Sequence, residues 1–436
     1  MRKVLIITYY WPPAGGGGVQ RWLKFAKYLP ETGWSPVVYT PSNADYPLTD
    51  VTLGDEIPDS VTVIRRPIRE PRRFYRKLLG KKGEAGQGAS LDQMFYTDPG
   101  SRNWKEALGI WVRGNLFIPD ARVWWVRPSV RFLRTLIERE QIKTIITTGP
   151  PHSMHLIGLG LKQHHPDIRW LADFRDPWTS IEYYDRMRLG RRADHKHRYL
   201  ERQVLQTADT VITVSPSWAA MFGKLRGGEV GVITNGYDPA DFASAPPEAD
   251  RELTICHVGT LAMDRNPVAF WSLLSAIADS HPGIGSRLTI KLLGSTDPAV
   301  IRHLSESGLK YVDLGYLDHR QAVSEMRSAH FLLLLINQAV AENVQGRIPG
   351  KVFEYLAAGR PVIAVSDEDT DATRILADNG HLIIDPDDED ALAVLSRFIS
   401  NPPPGRSDAP EQFSRSYLAR QLAQTLSQMK NQKATG

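Results

Sequence analysis

Residues 348–366 read IPGKVFEYLAAGRPVIAVS. Pro349 and Gly350 precede an apolar run with helical spacing, so a helix is expected over 351–358. Gly359 then supplies a residue able to take the left-handed conformation that ends a helix. A β-branched run at 362–365 follows and predicts a buried strand. Inside the helix, Lys351 and Glu354 stand three apart, on one face of the first turns. An ammonium at a helix N-terminus can meet a diphosphate, with the helix dipole adding about 0.3–1 kcal/mol. One turn on, a carboxylate can accept both hydroxyls of a ribose diol. The same spacing also describes an ordinary surface ion pair.

Outward from this stretch the helix–strand alternation continues. Short β-branched runs occur at 4–8, 36–40, 62–64, 144–148, 170–173, 210–214 and 231–234. A second series occurs at 253–258, 288–293, 311–314, 331–336, 362–365 and 382–384. Helical patterns at 22–29, 130–139, 196–206 and 268–279 separate several of them. Alternation of this kind predicts parallel sheets with crossover helices. The continuous run FLLLLI at 331–336 fits a strand buried on both faces. The two series predict two α/β domains, at 1–240 and 250–405, joined through a linker rich in Pro, Ala and acids. A Pro-rich break at 401–410 precedes a polar helix expected at 411–432, packing back toward the first domain.

Composition bounds the function. The 436 residues are 42% hydrophobic and 23% charged, which excludes a disordered chain, a coiled coil and a collagen repeat. The lone Cys256 excludes a disulfide framework or a cysteine-rich metal site, and favours a reducing compartment. The opening MRKVLIITYYWPP is too short in its apolar part for a signal segment, and no run approaches the roughly 18 apolar residues of a membrane span. The expected location is therefore cytoplasmic.

Charge is unevenly spread. Residues 61–145 hold 18 Lys and Arg against 8 Asp and Glu, a net of +10, so the remainder sums to −6 within an overall +4. The segment 65–127 breaks the alternation and reads as an insertion in the first domain. It interleaves Arg65, Arg66, Arg69, Arg72, Arg73, Arg76, Lys77, Lys81 and Lys82 with Trp104, Trp111, Trp124 and Trp125. Near an anionic bilayer each such base contributes about 1 kcal/mol, and tryptophans favour the headgroup boundary. Peripheral attachment to the inner face of the cytoplasmic membrane is one reading. A core plug with a solvated basic face is the other. No nucleic-acid module is present, so nucleic acid is not an expected partner.

Three further motifs bear on chemistry. In PPAGGGGVQRW, Gly15–Gly18 leave peptide N–H groups uncovered just before a helix, an arrangement able to hold phosphate. The dinucleotide fingerprint fails here, because its last glycine position is Gln20 and no acid follows the second strand. In LADFRDPWTS, Asp173, Arg175 and Asp176 sit at a strand carboxyl end, where open α/β sheets bind ligands. A carboxylate there can orient an acceptor hydroxyl or take its proton, and an Asp–Arg pair can equally hold the loop. His152, in GPPHSMH, is a candidate base or acceptor contact. His155 adds no metal site, since no third ligand is apparent. The acids DEDTD at 367–371 resemble an Asp-x-Asp metal motif but sit among solvated acidic loops, so no metal or other cofactor is expected.

The phrases FEYLAAGRPVIA, PPAGGGGVQR and TNGYD, in their respective places, resemble the GT-B glycosyltransferases of the retaining family 4 type. The resemblance covers most of the chain apart from the basic insertion and the tail. It implies two Rossmann-like doubly wound domains facing a central cleft, a nucleotide-sugar donor held by the second domain, and a glycan or lipid-linked acceptor in cell-surface glycan assembly. Carried over by motif, Gly17 and Gly18 fall on the family's paired glycines. Glu354 falls on the ribose-binding glutamate, Lys351 on a phosphate contact, Gly259 on the loop glycine, and Arg265 on the usual phosphate-binding lysine. Thr260 stands where a basic residue is usual, Gly346 where a sugar-binding glutamate is usual, and Arg175 where many members carry histidine. A sugar-nucleotide epimerase of the same fold and a non-catalytic glycan-binding relative are the alternatives.

Overall fold

The computed structural model describes residues 1–70, 104–336, 344–405 and 409–429. Arg72, Arg73, Arg76, Lys77, Lys81 and Lys82 lie outside the described residues. Two compact units divide the chain. One comprises Met1–Thr234 with Ser416–Gly436, the other Asn235–Arg415.

The first unit carries a parallel sheet of β1 (Arg2–Ile7), β2 (Trp34–Pro41), β3 (Thr62–Arg66), β4 (Thr144–Gly149), β5 (Arg169–Phe174), β6 (Thr210–Thr213) and β7 (Gly231–Val232). Its order is β3-β2-β1-β4-β5-β6-β7. The pleat explains why both faces are apolar. Val4 and Ile6 join a core with Trp22 and Phe25, whereas Leu5 and Ile7 join one with Trp125 and Trp170 on the other side. Leu418, Leu422 and Leu426, on the helix Arg415–Gln428, belong to the Trp22 core.

The second unit repeats the plan with β8 (Leu253–Val258), β9 (Leu288–Leu293), β10 (Tyr311–Gly315), β11 (Phe331–Leu335), β12 (Val362–Val365) and β13 (Leu382–Ile384). Its order is β10-β9-β8-β11-β12-β13, again parallel throughout. Leu332 and Leu334 face one core and Phe331 and Leu333 the other, as a strand covered on both sides requires. Burying each leucine side chain contributes about 1.5–3 kcal/mol. In both sheets the strand order reverses at one place, between β1 and β4 and between β8 and β11. There the crossovers leave in opposite directions and the carboxyl ends open a ligand crevice.

Two local expectations are revised. β3 extends to Arg66, so Arg65 and Arg66 belong to the sheet and not to the insertion. Arg65 Nη2 donates to the Pro12 carbonyl at 2.8 Å, and the Arg66 guanidinium lies over the Phe132 ring at 4.6 Å. The helix expected from residue 130 starts at Val123 and passes through Pro128. A proline there removes one backbone bond. The preceding turn is held instead by Trp125, buried and stacked on Tyr39 at 4.9 Å.

Candidate functional site

In the first unit, the chain leaves β1 through TYYWPPAGGGG and enters the helix Gly17–Tyr28, which has no side-chain cap and no acid in its first turn. Gly16 sits at φ 85°, which favours glycine, and a Cβ at Gly17 would meet nothing within 4 Å. Gly18 differs from Gly17. Its carbonyl accepts from Arg175 Nη1 at 3.0 Å, and a Cβ on it would stand 3.3 Å from that nitrogen. Arg175 Nη2 also donates to the Pro150 carbonyl, so one guanidinium joins the glycine turn to the turn after β4.

Asp173 has a different job from the one expected. It is 0% exposed at the end of β5. Its carboxylate accepts from Arg21 Nε at 3.2 Å, Arg21 Nη2 at 3.0 Å, Trp22 Nε1 at 2.8 Å and Thr148 Oγ1 at 3.0 Å. Three of these donors fall on Oδ2 and one on Oδ1, and the whole side chain is closed to solvent. It anchors the glycine-turn helix to the sheet. Arg21 was not singled out from the sequence, because a guanidinium in a helix ordinarily reads as solvated. Its signal was its place beside Trp22 on the apolar face.

His152 is corrected in the same sense. It is only 8% exposed and stacks on Trp178 with ring centroids 5.0 Å apart and planes 6° apart. Burial pushes its pKa well below the usual histidine value, with the neighbouring His155 and Arg175 adding to the effect. Its Nδ1 is shielded from solvent. His155 is fully buried on Phe174, and burial lowers it to about 3. The loop that follows β5 is held from behind by the helix Arg191–Thr207. Glu201 accepts from the Thr179 hydroxyl and from the Trp178 and Thr179 amides, and His197 Nδ1 accepts from Trp178 Nε1 at 3.0 Å. Glu201 and His197 carry no motif, so only packing reveals them. Asp176 lies half-buried in this loop.

In the second unit, β8 ends at His257-Val258 and turns through Gly259 at φ 136°, where a Cβ would again meet nothing within 4 Å. Gly294, after β9, is packed so closely that a Cβ would stand 2.4 Å from the Gly259 carbonyl oxygen. Thr260 and Arg265 are exposed on the loop beyond. The helix Lys351–Ala358 is set against this turn by Tyr355, whose hydroxyl accepts from the Val258 amide at 2.9 Å and donates to the Leu333 carbonyl at 3.2 Å. The hydroxyl thus joins the two strands at the reversal of order. Lys351 Nζ donates to Glu354 Oε2 at 2.7 Å, with both side chains partly exposed.

His257 Nδ1 lies 3.1 Å from the Leu333 carbonyl, and burial lowers its pKa to about 4. Gly259 and Arg265 follow β8, and Lys351 and Glu354 stand on the helix that Tyr355 ties to the end of that strand. Sequence reading missed His257 and also His319, at the start of the helix His319–Ser328. His319 Nε2 lies 3.0 Å from Asp241 Oδ2, and that bond raises its pKa, with Glu354 adding to the effect. The acids after β12 are engaged locally, Asp369 and Asp371 both pairing with Arg374. Gly346, where a sugar-binding glutamate is usual, is buried.

Residues 92–241 match the family model for Glycosyltransferase Family 4, about a third of the chain. A comparison with curated protein sequences finds no match. Among solved structures, a glycosyltransferase from Rickettsia africae shares 12% identity, with a TM-score of 0.58 and 98% of each chain covered. Anabaena HepE, solved with UDP and glucose, shares 15% identity, with a TM-score of 0.56, 98% of this chain and 100% of that one. WaaG, a glycosyltransferase involved in lipopolysaccharide biosynthesis, shares 14%, with a TM-score of 0.51, 99% of this chain and 100% of that one. The chain has the GT-B fold of two Rossmann-like units and resembles the family 4 type.

Proposed function

We propose that this chain is a glycosyltransferase that moves a sugar from a nucleotide-sugar donor to a glycan or lipid-linked acceptor, with retention of anomeric configuration. The observation that carries the reading is the Tyr355 hydroxyl bond that sets the helix of Lys351 and Glu354 against the Gly259 turn at the end of β8. An arriving donor separates the Lys351–Glu354 pair. The Glu354 carboxylate then accepts from the ribose diol. Lys351 and Arg265 face the diphosphate and offset the charge that builds as the sugar leaves, the work a divalent metal performs elsewhere. Gly259 allows the backbone to approach a phosphate without a Cβ between them.

The first unit takes the acceptor. Gly17 supplies open backbone at an uncapped helix start, Arg175 bonds the adjoining Gly18 carbonyl, and Asp176 follows Arg175 in the chain. Asp173 and His152 hold that frame from within. Calorimetry with UDP, GDP and ADP and their sugar conjugates tests the donor half. Binding of one base series, weakened at least tenfold by Glu354→Gln, is expected. Failure of all three, or an affinity indifferent to Glu354, would remove the proposal. Product analysis with donor alone separates transfer from epimerisation.

We further place the first unit on the inner face of the cytoplasmic membrane. No described helix is long and apolar enough to cross one. Leu116 is 65% exposed, Trp124 54% and Trp111 44%. Trp124, Arg127, Arg131 and Arg134 follow one another along the exposed side of the helix Val123–Glu140. Anionic vesicles should capture the protein at low salt. The triple exchange of Arg127, Arg131 and Arg134 to Glu should release it, and capture unchanged by that exchange would exclude this face.

A further inference from the structure

Among the described residues no carboxylate, the adjacent Asp176 included, pairs with Arg175. Its guanidinium is held by the main chain instead. Nη1 donates to the Gly18 carbonyl at 3.0 Å and Nη2 to the Pro150 carbonyl, while the Arg175 amide donates to the Gly149 carbonyl at 3.0 Å. Nε is shielded from solvent and has no partner among the described residues. The acids of the surrounding turns are engaged with other donors. Asp173 accepts from Arg21, Trp22 and Thr148. Asp120 accepts from the Ser153 amide and hydroxyl and from the Arg122 amide. Asp50, beside Gly15, accepts at Oδ1 from the Thr52 amide and hydroxyl.

Other arginines of this unit show what a balanced cation looks like. Arg21 meets Asp173 at 3.0 Å, and Arg122 meets Glu70 at 3.2 Å. Arg226 bonds the Leu205 and Ala208 carbonyls at the end of the helix Arg191–Thr207, where the helix dipole is negative. Arg175 stands at the opposite kind of place. The Gly18 carbonyl lies in the first turn of the helix Gly17–Tyr28, which brings no acid and no side-chain cap, so the dipole adds positive charge beside the guanidinium. Donors remain on it. A guanidinium has five N–H groups. Two bonds go to carbonyls and Nε is shut in, which leaves one N–H on each terminal nitrogen of a partly exposed side chain. A Cβ at Gly18 would stand 3.3 Å from Nη1 and 3.5 Å from the Tyr10 ring, so a larger residue there would displace the guanidinium.

We propose that Arg175 reads a negative charge on the acceptor: the acceptor carries a phosphate or a carboxylate, received by the Arg175 fork beside the open Gly17 backbone. This rests on the reading that the first unit takes the acceptor. The planar fork suits an oxyanion, to which it can offer two N–H groups at once. Arg175 is thereby a specificity-determining residue. An uncharged glycan leaves the cation without a counter-charge and binds more weakly.

Nuclear magnetic resonance of the full chain, labelled with heavy nitrogen at arginine, tests this. The Arg175 Nε–H signal is identified by its loss in Arg175→Gln, or in Arg175→Lys if the first variant does not fold. Millimolar methyl phosphate or acetate should move that signal to saturation, and the stronger of the two names the group. Sodium chloride at equal ionic strength should not move it. Phosphorus spectra should show methyl phosphate binding weakened about tenfold in Arg175→Gln and less in Arg175→Lys, which keeps the charge. The shift should persist when nucleotide saturates the second unit. A signal that neither anion moves, or that chloride moves equally, overturns the proposal alone. A methyl phosphate shift that nucleotide abolishes overturns it together with the acceptor reading of the first unit, because the anion received is then the donor's diphosphate. If no nucleotide binds, the donor reading fails, and the methyl phosphate titration still decides this one.

Discussion

The two units share a strand order and a point of reversal, yet their strand ends are furnished in opposite ways. In the first unit Asp173, Arg21, Trp22, His155 and Trp178 are buried, and their polar atoms are largely spent on one another. In the second, Thr260 and Arg265 are exposed, and Lys351 and Glu354 hold each other at a partly exposed helix start. The first arrangement resists change and fixes geometry. The second keeps its charges adjustable, at the cost of a weak ion pair. A ligand with a diphosphate can exploit adjustable cations, whereas a reacting hydroxyl needs a fixed frame.

The sharpest break in that comparison comes from removing one charge on each side. Asp173→Ala should destabilise the first unit by about 3–5 kcal/mol, because it leaves Arg21 buried without its partner. Glu354→Gln should cost the second unit about 0–1 kcal/mol, as exposed pairs do, while nucleotide affinity falls at least tenfold. Ten of the eleven tryptophans lie in the first unit, so fluorescence during urea unfolding reads that unit and far-ultraviolet circular dichroism adds the second. Equal losses for the two variants would show that the contrast is not real.

Next in size is a test of the close approaches. Gly149→Ala pushes a methyl into two imidazoles and should cost about 1–3 kcal/mol in the first unit. Gly17→Ala, where nothing lies within 4 Å, should leave stability nearly unchanged and act on ligand binding alone. Thermal unfolding of both variants, with and without donor, checks the pair.

The response to acid is graded by pH. His155 is lowered to about 3, and His152 is also lowered. Their contribution is present above the unfolded value near 6.5 and is lost as pH falls below it, because the unfolded chain then takes up protons the folded chain refuses. The slope is about 1.4 kcal/mol per pH unit for each histidine. In the second unit His257, lowered to about 4, behaves the same way. His319, raised by Asp241, has the opposite sign: its contribution is present at low pH and fades as pH rises through its folded value. The first unit should therefore lose stability more steeply between pH 6.5 and 5, as urea midpoints followed by fluorescence will show. A flat profile there would contradict the burial of the two histidines.

The candidate site was partly legible. Lys351, Glu354, Gly259 and Arg265 were singled out by motif spacing and resemblance, and in the structure Tyr355 ties the helix of the first two to the strand end that precedes the others. Asp173 was placed at a strand end with an acceptor role and a loop-holding role both open, because sequence spacing does not reveal how many donors a carboxylate will meet. His257, His197 and Glu201 were missed, since each acts through a neighbour distant in the chain. The helix start at Val123 was missed because the stacking of Trp125 on Tyr39 outweighs a local rule about Pro128.

By itself, then, the amino-acid order determined the alternation of strands and helices, the duplication of the plan and the helix that presents Lys351 and Glu354. These follow from hydrophobic period and turn chemistry, which act over a few residues. Only the tertiary structure decided which polar groups are consumed in holding the frame and which remain available. That division depends on burial and on partners far along the chain, 152 positions apart for Arg21 and Asp173, and no local pattern encodes it.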